Sequence, residues 1–241
     1  MTSQVTAYLK YAHLQIAAEA LYDFLPKLDP EPSQTSSGII DPADLKIGNN
    51  HASKFTSTLA ADFVQQWEVV EHISNTSTGF SGTLFRARKD DPAAGIVAGE
   101  LVLSFRSTEF IDDAVRDNQA TNKMEIKAHG WAFGQIADME DWYASLQASG
   151  TIPAGARFAV TGYSLGGHLA TVFNLLHQAE GQITATYTFN GAGVGDVDGN
   201  TSLGAVIEQF DRMRKNTSGT EIAFSRATDR SESGAAGRLA A

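Results

Sequence analysis

The run Gly162-Tyr163-Ser164-Leu165-Gly166 constrains the fold of this chain more than any other stretch. The apolar segment Phe158-Ala159-Val160 precedes it and Gly167-His168-Leu169-Ala170-Thr171-Val172 follows it. A short strand therefore leads in and a helix leads out. A strand-to-helix turn this sharp holds its central residue at strained backbone angles, and strand and helix pass so closely that the flanking positions must be small. Gly162 and Gly166 meet that need. The Ser164 hydroxyl is then turned outward at the C-terminal edge of a sheet, with a helix N-terminus behind it that favours negative charge. These are the requirements of a serine nucleophile.

The rest of the pattern supplies a sheet for that turn. Residues 5–24 carry apolar side chains at helical spacing, and a second helix is expected over Lys54–Gln66. Between them, 26–50 holds Pro26, Pro30, Pro32 and Pro42 and reads as a long connection without a regular element. Strands are expected at Glu68–Ile73, Gly79–Arg88, Glu100–Arg106, Arg157–Thr161 and Thr184–Phe189, and helices at 131–148 and 165–177. A helix at 203–214 and a strand at 221–225 complete the expected elements. Strands alternating with helices point to an α/β chain with a mostly parallel sheet. We read residues 1–241 as one domain with an N-terminal helical extension over about 1–62 and an unpatterned tail over about 230–241.

Composition narrows the functional classes. Of 241 residues, 42% are hydrophobic and 19% charged, which suits a packed core and not a disordered chain. The net charge of −10 argues against nucleic acid or an anionic membrane as an electrostatic partner. The absence of cysteine excludes disulfides, thiolate zinc sites and a cysteine nucleophile. The N-terminus has neither a basic start nor a continuous apolar run, so no signal peptide is expected, and no apolar stretch reaches the ~18 residues of a transmembrane segment.

A second candidate segment is Leu101-Val102-Leu103-Ser104-Phe105-Arg106-Ser107-Thr108-Glu109, a central strand ending in polar residues. Acyl transfer needs donors for a developing oxyanion, each contributing about 3–4 kcal/mol. The expected donors are the N–H of Leu165 and Thr108, through its N–H and its hydroxyl.

Taken in order, four motifs resemble the class 3 lipase family, closest to its bacterial lipase and phospholipase A1 branch. They are Phe105-Arg106-Ser107-Thr108-Glu109, His129-Gly130-Trp131-Ala132-Phe133, the serine run with Gly167-His168-Leu169-Ala170, and Thr188-Phe189-Asn190-Gly191-Ala192-Gly193-Val194-Gly195. The match covers roughly 63–195, with a weaker echo to Asp229. The resemblance implies an α/β-hydrolase fold, hydrolysis of lipid esters at a lipid–water interface without a cofactor or metal, and secretion without an N-terminal signal, the cytoplasm being the alternative. It also implies a lid over 110–122. Two departures stand out. Ser107 occupies a glycine position, which costs about 1 kcal/mol or more if that position needs positive φ. Gly193 replaces a proline-containing pair.

The resemblance also places an acid and then a histidine after the serine. Asp229, in Phe224-Ser225-Arg226-Ala227-Thr228-Asp229, is the best candidate acid, ahead of Asp196 and Asp211. The histidines are His13, His51, His72, His129, His168 and His177, and none follows residue 177. The expectation is a chain lacking the C-terminal element that carries the general base, with His129, His168 and His177 in packing, turn or surface roles. The family's C-terminal glycine- and aspartate-rich calcium-binding repeats and export signal are not in this sequence either.

Overall fold

The structure, a computed structural model, describes residues 3–20, 22, 35–47, 55–107 and 130–194. They form a six-stranded sheet in chain order, β1 (Thr35–Gly38), β2 (Trp67–Ile73), β3 (Gly82–Ala87), β4 (Leu101–Phe105), β5 (Phe158–Tyr163) and β6 (Ile183–Phe189). The helices are α1 (Gln4–Ala18), α2 (Pro42–Ile47), α3 (Ser57–Gln66), α4 (Phe133–Ala148) and α5 (Leu165–His177), with a 3₁₀ turn at Gln178–Glu180.

The expectation of a mostly parallel sheet is corrected among these residues. The β1–β2, β2–β3 and β3–β4 pairs are antiparallel, and β4–β5 and β5–β6 are parallel. The cause is the length of the connections. The segments 74–81 and 88–100 are hairpin links without a helix, whereas a parallel pair needs a long crossover, supplied here by α4 and by α5. The architecture is mixed α/β.

Alternation along the strands builds a core on each face. Leu101, Leu103 and Phe105 of β4 join Phe158 and Val160 of β5 against Ile136, Met139 and Trp142 of α4 and Leu169, Val172 and Phe173 of α5. Val102 and Ala159 face the other way, toward Leu14 and Ala17 of α1 and Phe63 of α3. Burying each Leu, Val or Phe contributes about 1.5–3 kcal/mol.

Helix starts follow their caps. Ser3 accepts from the Thr6 N–H at 3.1 Å, and Thr56 from the Leu59 N–H at 3.3 Å. α1 stops at Ala18, short of the expected residue 24, because Glu19 and Ala20 bond back to Ile16 and Ala17 and tighten the last turn. Within 26–50 the expectation of no regular element is also corrected, by β1 and α2. The segment Thr-Ser-Ser-Gly has no apolar alternation to announce a strand; β1 is an edge strand paired through its backbone with β2. The elements expected at 203–214 and 221–225 lie outside the described residues. No described helix is long and apolar enough to cross a membrane.

Candidate active site

β4 and β5 end level with each other. Phe105 pairs with Gly162, so the strands deliver Arg106-Ser107 and Tyr163-Ser164 to the same edge of the sheet. Ser164 sits there at φ 52° and ψ −116°, between the last residue of β5 and the first of α5. A side chain with Cβ rarely occupies that region, and strain of about 1–3 kcal/mol persists only where surrounding bonds force it. They do so here. The Ser164 N–H donates to Phe189 O at 3.0 Å, and its carbonyl accepts from the N–H groups of His168 and Ala192, each at 3.1 Å.

The flanking glycines are demanded by contact. A Cβ on Gly162 would fall 2.1 Å from Gly166 O, and one on Gly166 would fall 2.1 Å from Phe105 O and 2.9 Å from Arg106 O. One on Gly167 would fall 2.7 Å from the Gly191 Cα. The first turn of α5 thus lies directly against the end of β4 and against the loop after β6. The first N–H groups of a helix have no partner within it. Those of Leu165 and Gly166 begin a 13-residue helix beside Ser164, the place an oxyanion donor requires.

Thr108, the other expected donor, lies outside the described residues, as do the acid candidates Asp229, Asp196 and Asp211 and the lid segment 110–122. The non-glycine residues at positive φ among those described are Ser164 and Asn190. Ser107 is therefore free of the strain that positive φ would impose. Its N–H donates to Glu19 Oε1 at 2.9 Å and its hydroxyl to Glu19 Oε2 at 2.7 Å. Glu19 is fully buried. This carboxylate was not singled out in the sequence, although an acid among Ile16, Ala17, Ala18, Ala20 and Leu21 was a visible signal. Beside it, the Arg106 guanidinium donates to Asn75 Oδ1, and the Arg106 N–H donates to Ser81 O at 3.1 Å.

The side chain of each described histidine contacts groups other than Ser164. His168 is buried one helical turn past Ser164. Its Nε2 accepts from the Ala132 N–H at 3.2 Å and its Nδ1 lies 2.9 Å from Gly193 O, which defines a neutral ring protonated at Nδ1. Burial holds its pKa below the ordinary value. It cross-links the loops at 131–132 and 190–193 over the start of α5. His177 contacts Glu140 and Glu180; burial pulls its pKa down, but those carboxylates prevail and leave it raised. His13 packs on Phe55 and is lowered by burial. His13 also lines a groove of about 380 Å³ with Leu9, Leu59, Phe63 and Trp67. Trp67 opens β2 and pairs with the end of β3, so that groove lies at the opposite edge of the sheet from Ser164. His51 and His129 lie outside the described residues.

His72 is buried with Nδ1 2.9 Å from Thr83 Oγ1, and burial followed by the Arg106 charge brings its pKa from 6.5 to about 3. Unfolded, it takes up a proton below 6.5; folded, it does not until about 3. The stability it contributes is complete above 6.5 and is lost as pH falls from 6.5 toward 3, at up to about 1.4 kcal/mol per pH unit. Urea midpoints measured from neutral pH down to about pH 4 should fall less steeply for His72→Gln than for the native chain. His177 acts in the opposite direction but is common to both proteins.

No protein-family model, curated protein or solved structure matches this chain.

Proposed function

We propose that this protein is a serine carboxylic ester hydrolase of the α/β-hydrolase type, acting through an acyl-enzyme on lipid esters of the lipase or phospholipase A1 kind. The observation that carries the reading is the backbone of Ser164, strained at φ 52°, tied at three points, and set between a buried strand and a helix N-terminus. Strain of that kind is kept where a side chain must be presented to a reaction. Ser164 Oγ attacks the ester carbonyl and gives up its proton to a base. The N–H of Leu165, with Thr108 as the second donor, holds the oxyanion. The alcohol leaves with a proton, and water then releases the acid. Asp229 is the acid assigned by resemblance, and the lipid character of the substrate rests on the same resemblance.

A second reading is a catalytically inactive hydrolase-fold module. It is favoured by the histidines, since His72, His168 and His177 are held by hydrogen bonds to other groups and His13 lines the groove at the far end of the sheet. If the chain turns over by itself, elimination leaves His51 and His129 as its imidazole bases. His129 directly precedes the segment that bonds His168 on the nucleophile helix.

Hydrolysis of short- and long-chain p-nitrophenyl esters separates the readings. The hydrolase reading expects turnover that vanishes in Ser164→Ala, falls in one of His129→Gln and His51→Gln, and favours long chains. Equal background rates from folded native chain and Ser164→Ala would leave the inactive module.

A further inference from the structure

We infer that Glu19 is a positioning residue for the oxyanion side of the site, its carboxylate clamping both the N–H and the hydroxyl of Ser107 where the chain leaves β4. The inference rests on the reading of Ser164 as nucleophile.

Three observations carry it. The first is the placement of an acidic side chain where a negative charge is unfavourable. Glu19 caps the C-terminus of α1, the negative end of the helix dipole, and it is fully buried. Short hydrogen bonds to a carboxylate are among the few interactions that offset such a placement. Ser107 supplies two, at 2.9 and 2.7 Å.

The second is the identity of residue 107. Its backbone does not need a glycine, and its hydroxyl forms one of the two arms of the clamp. Serine there and glutamate at the end of α1 are thus a matched pair. Glycine would keep only the N–H arm.

The third is location. A Cβ on Gly166 would meet the carbonyl oxygens of Phe105 and Arg106, so the residues leading into Ser107 touch the first turn of α5 beside the Leu165 N–H. The strand end that leads into the clamp is thus packed on the turn that carries Ser164. A displacement of Ser107 by about 1 Å would disturb the packing of this strand end on the first turn of α5, and a misplacement of that size lowers a rate by about 10²-fold.

The clamp and its consequence are read separately. Amide hydrogen exchange at Ser107 is slow in the native chain and accelerated in Glu19→Ala. The rate of Ser164 phosphonylation by a p-nitrophenyl alkylphosphonate, and kcat for p-nitrophenyl esters, should fall about 10²-fold in Glu19→Ala with KM little changed. Glu19→Gln keeps the volume but has one acceptor oxygen for two donors, and should lie between. Ser107→Ala should cost less than Glu19→Ala, and the double variant little more than Glu19→Ala alone.

Unchanged exchange at Ser107 in Glu19→Ala overturns the inference whatever Ser164 does. So do additive losses in the cycle, or a rate that drops only in proportion to the folded fraction. Accelerated exchange together with no Ser164-dependent reaction in the native chain overturns the reading of Ser164, and the catalytic role of Glu19 with it.

Discussion

Ser164→Gly is expected to make the protein more stable and to reduce ester hydrolysis to background. At φ 52° and ψ −116° a serine bears strain that glycine, lacking Cβ, does not. Relief of about 1–3 kcal/mol is set against the roughly 0.5–1 kcal/mol that glycine's freedom in the unfolded chain costs, leaving a net gain on the order of 1 kcal/mol. The three backbone bonds of residue 164 need no side chain and remain. Loss of a catalytic serine removes about 10⁴-fold or more of an acyl-transfer rate. Urea denaturation and ester assays on one preparation check both halves. A strained serine kept only for structure would give no opposition between them, because stability and activity would not trade.

Gly166→Ala is expected to cost about 3 kcal/mol or more, at the upper end of overpacking effects. The added methyl would sit 2.1 Å from Phe105 O and 2.9 Å from Arg106 O. Both are backbone atoms at the end of the fully buried β4, so no side chain can rotate away. Relief requires α5 to move off the sheet, and α5 carries Leu169, Val172 and Phe173 into the core. The melting temperature should fall by roughly 6–12 °C, at about 2–4 °C per kcal/mol for a chain of this size. Gly193→Ala is the control. A Cβ there meets nothing within 4 Å and the backbone is not at positive φ, so stability should hold or rise slightly.

The strand–helix turn at Ser164 was legible in the sequence because every requirement is local. An apolar strand, two small residues around a serine and an apolar helix lie within one short window, and α5 spans Leu165–His177 as expected. Three features were not legible, each for a physical reason. β1 is held by backbone pairing to β2, which no side-chain pattern announces. The antiparallel half of the sheet follows from connection lengths, the links between β2, β3 and β4 being too short for a crossover helix. Glu19 and Ser107 meet only through the packing of α1 on the sheet, a contact between distant parts of the chain. The sequence offered only an acid in an apolar stretch. Ser107 would be strained only if its position needed positive φ; its backbone is relaxed and its hydroxyl is engaged. His168, expected to pack, proves to be a neutral cross-link between two loops at the site.

The most direct test of the central claim is covalent. The native chain is treated with an alkyl fluorophosphonate, and the intact mass and the modified peptide are read by mass spectrometry. Such reagents react with a serine whose hydroxyl is exposed, deprotonated by a base and faced by oxyanion donors. A single adduct is expected on Ser164, absent from Ser164→Gly and formed more slowly in Glu19→Ala. A folded native chain that takes up no label, or takes it up at another residue, would contradict it.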